Sequence, residues 1–297
     1  MKYVLTGSAG NITRPLASTL LSAGHQVVVI GRDAARMTEL TAQGATAAIG
    51  SVEDTAFLTE TFRGADAVYT MVPPHHNPTS WKEYIGTIGA NYAAAIADAG
   101  VKKVVNLSSI GAHVADGCGP VSGLYRVEQA LNGLTGVDVL HLRPGFFYLN
   151  FLGTIGMVKG MNIMGGNYGD ADTKLVLVHP DDIAAVAAEA LQSFSFTGHS
   201  VRYIASDERT TGDVAGVIGD AVGKPGLPWV EFTDEQNSAG MKQAGMPDEI
   251  VTNYTEMGAA MRSGIMQEDY WKHRPAQLGA TKLEDFARSF AAIYAAS

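Results

Sequence analysis

The sequence predicts an α/β fold, a doubly wound parallel sheet with a smaller C-terminal α/β region, and three observations predict it. Through about residue 145, short β-rich apolar runs alternate with longer helical patterns, which is the form of a parallel sheet covered by crossover helices. Several of those runs are apolar at nearly every position, as strands buried on both faces require. The helical stretches stop at Gly24, Gly44, Gly64 and Gly100, the residue type that most readily closes a helix.

In chain order, the expected strands are YVLT (3–6), QVVVIG (26–31), ATAAIG (45–50), DAVYTMV (66–72), KVVNLS (103–108) and DVLHLR (138–143). The first helix opens near Thr13 with Pro15 in its first turn, where a missing N–H costs little. The fourth and longest runs from about Thr79 to Ala99. Right-handed crossovers place the loops after the strands along one edge, where ligands bind. After about residue 150 the rhythm breaks, and GTIGMVKGMNIMGGNYGDAD reads as a flexible wall rich in Gly and Met. A strand KLVLV, a helix opening at HPDDIAAVAAEAL, a strand near SVRYIA, a helix from about Thr210 to Val222, a strand near PWVEF and terminal helices follow. The Met-rich stretch MKQAGMPDEIVTNYTEMGAAMRSGIM is expected to pack over the cleft.

Composition narrows the function classes. With 297 residues, 46% of them hydrophobic, the chain buries a sizeable core. A formal net charge of −9 argues against nucleic acid, which is bound through clustered cations. No apolar run reaches the roughly 20 residues that span a bilayer, and the N-terminus lacks a signal-peptide pattern, so no membrane partner and a cytoplasmic location are expected. The single cysteine, Cys118, excludes an intramolecular disulfide and reads as a bystander thiol.

The stretch TGSAGNIT carries the first functional signal. Gly7 and Gly10 follow a strand and open a helix, so backbone N–H groups can approach a pyrophosphate at a helix N-terminus. Thr13 stands where the third glycine of the usual fingerprint would be. At the end of the second strand, Arg32 can pair with the 2′-phosphate of NADP, whereas an acidic residue would bind the 2′-hydroxyl of NAD. Asp33 follows and is assigned to capping the next helix, so NADP is expected over NAD. Residues 1–150 are then an NADP-binding Rossmann-type domain and residues 151–297 a smaller substrate-binding region, some of whose elements pack back on the first.

Taken together, TGSAGNIT, VVVIGRDAARMTEL, VKKVVNLSSIGA, LYRVEQAL and LRPGFFYLNF resemble the NmrA-like branch of the atypical short-chain dehydrogenase/reductases, over nearly the whole chain. That family includes NADPH-dependent quinone, azo-dye and triphenylmethane-dye reductases as well as redox-sensing proteins. The resemblance implies that Gly7, Ser8, Ala9, Gly10, Asn11 and Ile12 surround the pyrophosphate, Arg32 the 2′-phosphate, and Ser51 and Val52 the adenine. It places Met71, Val72 and Pro73 along the cofactor, with Ser108, Pro144, Phe146 and Phe147 near its other end. The family's usual Gly-Asp at the third strand is Gly50-Ser51 here.

Catalytic short-chain dehydrogenases pair a tyrosine with a lysine four residues later. Tyr125 stands at a suitable distance after Ser108 and Ser109, but the fourth residue on is Gln129, which cannot stabilise a tyrosinate by charge. Tyr125 and Ser109 are the catalytic candidates. Hydride transfer to a quinone-like acceptor demands less of an enzymatic acid, because the product anion is delocalised, and Phe146 and Phe147 supply flat apolar surface for such a ring. The expected function is therefore an NADPH-dependent reductase of a small aromatic or quinone-like acceptor. A non-catalytic NADP(H) sensor acting through a protein partner is the alternative, an epimerase or dehydratase is disfavoured by Gln129, and a homodimer is left open. No metal is expected: the adjacent His75 and His76 do not point at one ion, and His179 in VHPDDIA reads as helix-start chemistry.

Overall fold

A computed structural model describes residues 1–75 and 77–297. The strands are β1 (Lys2–Leu5), β2 (Gln26–Gly31), β3 (Thr46–Ile49), β4 (Ala67–Thr70), β5 (Lys103–Leu107), β6 (Asp138–Pro144), β7 (Phe146–Phe147), β8 (Met164–Gly166), β9 (Lys174–Val178), β10 (His199–Ile204), β11 (Asp207–Thr210) and β12 (Trp229–Glu231). The helices are α1 (Thr13–Ser22), α2 (Thr38–Ala42), α3 (Thr55–Phe62), α4 (Trp81–Ala99), α5 (Pro120–Asn132), α6 (Ile155–Gly160), α7 (Pro180–Ser193), α8 (Thr211–Ala221), α9 (Asp234–Gln243), α10 (Asp248–Arg262), α11 (Glu268–Lys272) and α12 (Leu283–Ala296).

Seven strands form one parallel sheet in the order β10-β6-β5-β4-β1-β2-β3. The order reverses between β1 and β4, and an open sheet of this kind binds ligands at the C-terminal strand ends beside that reversal. One face is covered by a core that joins Leu16 and Leu20 of α1 to Ile183 and Leu191 of α7. On the other face Leu58 and Phe62 of α3, Ile88 and Tyr92 of α4, and Val127 and Leu131 of α5 close over Val4, Val68 and Val104. A buried polar ladder crosses three strands: Thr70 Oγ1 donates to Asn106 Oδ1 at 2.9 Å, and His141 bridges Asn106 Nδ2 and Asn132 Oδ1 at 3.1 and 3.0 Å.

The region after residue 150 also contributes to the first sheet. Strand β10, expected in the smaller region, pairs with β6 as the seventh strand, and α7 packs on α1. The remaining elements make a three-stranded sheet, β11-β9-β7, and a two-stranded one, β12-β8, around a third core that includes Phe151, Trp229, Phe286 and Phe290. The stretch expected as a flexible wall, 153–172, contains the end of a 3₁₀ turn (Tyr148–Thr154), α6 and β8. These elements are too short to show a period, and Val158 and Met164 anchor them with fully buried side chains. Among the described residues, no helix is long and apolar enough to cross a membrane.

Candidate dinucleotide groove and apolar cavity

At Gly7 φ is +101°, and a Cβ there would lie 2.5 Å from Thr13 Oγ1 and 3.0 Å from Met71 Cγ, so this position requires glycine. Thr13 is accommodated because its buried hydroxyl donates to the Thr6 carbonyl at 2.9 Å, tying the helix to the end of β1. Ala9 and Ile12 turn their side chains into the core, while Asn11 is exposed. Helix α1 starts without a side-chain cap, and among the described residues no backbone carbonyl accepts from the amides of Asn11 and Ile12. Uncapped donors at a ten-residue helix N-terminus suit a pyrophosphate.

Beside this loop lies a hollow of about 60 Å³ lined by Gly7, Ser8, Arg32, Ser51, Val52 and Pro73, among others. Arg32 is exposed on its rim. Asp33 is engaged locally, its Oδ1 accepting from Ala35 N at 2.9 Å, although the N-cap position of the 3₁₀ turn that follows (Ala35–Met37) is Ala34. Ser51 Oγ accepts from Glu53 N at 3.2 Å, which holds the third loop closed.

A larger cavity of about 340 Å³ continues along Met71 and Val72. Met71 is held by its own backbone: its N–H donates to Thr6 Oγ1 at 2.8 Å and its carbonyl accepts from Tyr92 Oη at 2.6 Å. The end of β5 brings Ser108 and Ser109 to the wall, and the segment after β6 brings Gly145, Phe146 and Phe147. Phe146 is oriented by Phe151 and Tyr168, each with its ring centroid 5.4 Å away. The Met-rich stretch lies over the cavity: Tyr254, Met257 and Met261 recur at helical spacing along α10, and Met266 and Gln267 follow in the next turn.

Two expected site residues, Tyr125 and Pro144, do not line this cavity. Tyr125 lines a separate hollow of about 250 Å³ with His113, Glu128, Gln129 and His141, whereas its neighbour Leu124 faces the cavity. One helical residue turns a side chain by about 100°, enough to carry Tyr125 and Gln129 together off the cavity face. Pro144 is buried, its carbonyl accepts from Ile110 N at 2.8 Å, and it is Gly145 that reaches the wall.

Behind Ser108 is a charged network that sequence reasoning missed. Ser108 Oγ donates to Glu128 Oε1, and Arg143 grips both carboxylate oxygens through Nε at 3.0 Å and Nη2 at 2.6 Å. Arg143 Nη1 extends the network to Tyr203 Oη at 3.0 Å and Asp269 Oδ2 at 3.3 Å. The signal was present in DVLHLR: an arginine on a strand otherwise buried needs an acidic partner. Tyr254 lies within the Met-rich stretch expected over the cleft, whereas Gln267 had no comparable signal, because it reaches the cavity only through the turn that follows α10.

The other candidates carry little chemistry. His75 stacks edge-on against Tyr84, and His76 lies outside the described residues. His179 caps α7 by accepting from Asp181 N at 3.2 Å. Burial pushes the Cys118 thiol up to about 11, which keeps it unreactive. Among the described residues, no group of three or more His, Cys, Asp or Glu side chains is placed to hold a metal ion.

Known proteins are similar to this chain in sequence or in fold. A (4-alkanoyl-5-oxo-2,5-dihydrofuran-3-yl)methyl phosphate reductase of Streptomyces griseus is 27% identical over 222 residues, 75% of this chain and 74% of its own. An NAD(P)H azoreductase of Xenophilus azovorans is 25% identical over 256 residues, 86% of each chain. The crystal structure of an NADPH-dependent quinone oxidoreductase from Escherichia coli in complex with NADPH superposes with a TM-score of 0.78 at 20% identity, covering 97% of this chain and 99% of that one. The family described as NAD(P)H-binding matches residues 7–193, from the glycine of the first loop through α7. The chain belongs to that NAD(P)H-binding family.

Proposed function

We propose that the protein is an NADPH-dependent reductase that passes a hydride to a small aromatic or quinone-like acceptor. The observation that carries this reading is continuity. Met71 and Val72 line the apolar cavity and Pro73 lines the hollow beside Arg32, so the two meet at consecutive residues. A dinucleotide laid along the strand ends would meet the loop amides at its pyrophosphate and Phe146 and Phe147 at its far end.

In this reading the Gly7–Ile12 backbone holds the pyrophosphate, Arg32 pairs with the 2′-phosphate, and Ser51 and Val52 flank the adenine. When bound, the reduced nicotinamide supplies the hydride. Phe146, Phe147, Val121 and Leu124 orient a flat ring and keep water from it. Tyr254 lines the cavity as Tyr125 does not, and burial raises its pKa, so it remains a protonated phenol. The likeness to an azoreductase and the fold of a quinone oxidoreductase support the same acceptor class.

A cofactor sensor needs no substrate-binding wall, and the apolar and aromatic lining of the cavity favours turnover. The deciding experiment is NADPH oxidation against a panel of quinones, azo dyes and aldehydes. Turnover on quinones or dyes is expected. Tight NADPH binding with no turnover on any acceptor would overturn the reductase reading in favour of the sensor.

A further inference from the structure

The polar groups locked into the wall of the apolar cavity have a common sign. Both oxygens of Glu128 accept from Arg143, so the hydrogen bond from Ser108 to Glu128 uses the serine proton, and only oxygen lone pairs of Ser108 remain for a ligand. Ser109 Oγ donates to the Ile110 carbonyl at 2.9 Å and is likewise left as an acceptor. Gln267 is 5% exposed and lines the same cavity. Its Nε2 donates to the Lys174 carbonyl at 3.2 Å, which fixes the amide orientation, and its Oε1 is buried without a hydrogen-bond partner. A buried acceptor without a donor is costly, and a ligand that supplies the donor recovers that cost on binding.

We propose that the ligand group seated against Ser108, Ser109 and Gln267 is a hydrogen-bond donor, so that of two aromatic molecules alike in shape the cavity binds the one bearing a hydroxyl or N–H more tightly. The proposal deepens the reductase reading and rests on this cavity being the substrate site. Trp81, Tyr254 and Asn150 complete the polar lining and can donate to a carbonyl elsewhere on the same ligand. A ring with a donor at one position and a conjugated carbonyl or azo group at another satisfies both sets. Gln267 then acts in specificity, because a polar group left unpaired in a closed site rejects the analogue that lacks its partner.

The test is calorimetric titration of the full chain with 2-naphthol and with 2-methoxynaphthalene, which keeps the ring and oxygen but has no donor. Each titration is run with and without saturating NADP⁺. The expected result is that 2-naphthol binds about tenfold or more tightly in both conditions, and that Gln267→Leu narrows the difference. Equal affinities in the wild-type protein would overturn the proposal without recourse to any variant. Discrimination that vanishes when NADP⁺ is bound would overturn it too, since the donor would then belong to the cofactor. Quinone turnover is scored separately: discrimination without turnover removes the reductase reading alone, and turnover with equal affinities removes this inference alone.

Discussion

Separating Glu128 from Arg143 tests whether the charged pair behind Ser108 holds up the cavity wall. The two side chains are 3% and 9% exposed, and removing one partner of a buried pair typically costs about 3–5 kcal/mol because the other charge is left behind. The structure predicts which variant lies at which end of that range. In Glu128→Gln, Arg143 retains Asp269 at 3.3 Å and the Tyr203 hydroxyl, so the cost is expected near the lower bound. In Arg143→Met, Glu128 retains only the Ser108 hydroxyl, and the upper bound applies. With roughly 2.1 cal/mol/K of unfolding entropy per residue, a chain of 297 residues loses about 1.6 °C of Tm per kcal/mol, so drops of about 5 and 8 °C are expected. Thermal and urea unfolding of both single variants and the double variant measure this, and the double variant is expected to cost less than the sum. Two single variants each within about 1 kcal/mol of wild type, or a strictly additive pair, would refute the reasoning.

Four further outcomes are expected. Arg32→Ala weakens NADPH binding by about tenfold or more and leaves NADH binding nearly unchanged, as expected for loss of a charge-assisted contact to the 2′-phosphate; an unchanged NADPH/NADH ratio in fluorescence titration removes Arg32 from the site. Gly7→Ala puts a side chain at φ +101° against Thr13, a strain of about 1–3 kcal/mol, and NADPH affinity should fall by tenfold or more while the far-UV spectrum is retained. Burial pushes His141 down to about 4 against about 6.5 when unfolded, so the unfolded state binds the extra proton between those values. The contribution is fully present above pH 6.5 and about 3 kcal/mol is lost as pH falls through 4, a slope that His141→Gln should flatten in urea titrations. Tyr125→Phe should leave turnover near wild type, since Tyr125 lines a different hollow; a fall of about a hundredfold, the usual effect of losing a general acid, would return it to the active site.

The strands and helices of the first half were legible because each is a local pattern. The run QVVVIG has the bounds of β2, Gly24 and Gly100 lie just beyond α1 and α4, and Asp33 bonds its own neighbourhood. The turn at Gly7 was legible for the same reason, since its positive φ belongs to a loop contained within a few residues. What failed at Tyr125 was direction: the spacing that places a residue on a helix near the cleft does not say which face it occupies, and Leu124 took the inward position.

Other features depended on segments far apart in sequence. Strand β10, HSVRYI, mixes polar and apolar residues after residue 150, and nothing in it announces that it extends the first sheet beside β6. The cavity joins residues from Met71 to Gln267, so its volume and its apolar lining exist only once α10 crosses the strand ends. The sequence by itself determined the sheet, the loop glycines and the chemical types available, because backbone geometry and periodic burial act locally. Only the tertiary structure decided which hydroxyls keep a free proton. For Ser108 that depends on Glu128, twenty residues on, reaching it in the folded chain, whereas Ser109 bonds the carbonyl of its own neighbour; the fold leaves a lined cavity whose fixed polar atoms are acceptors.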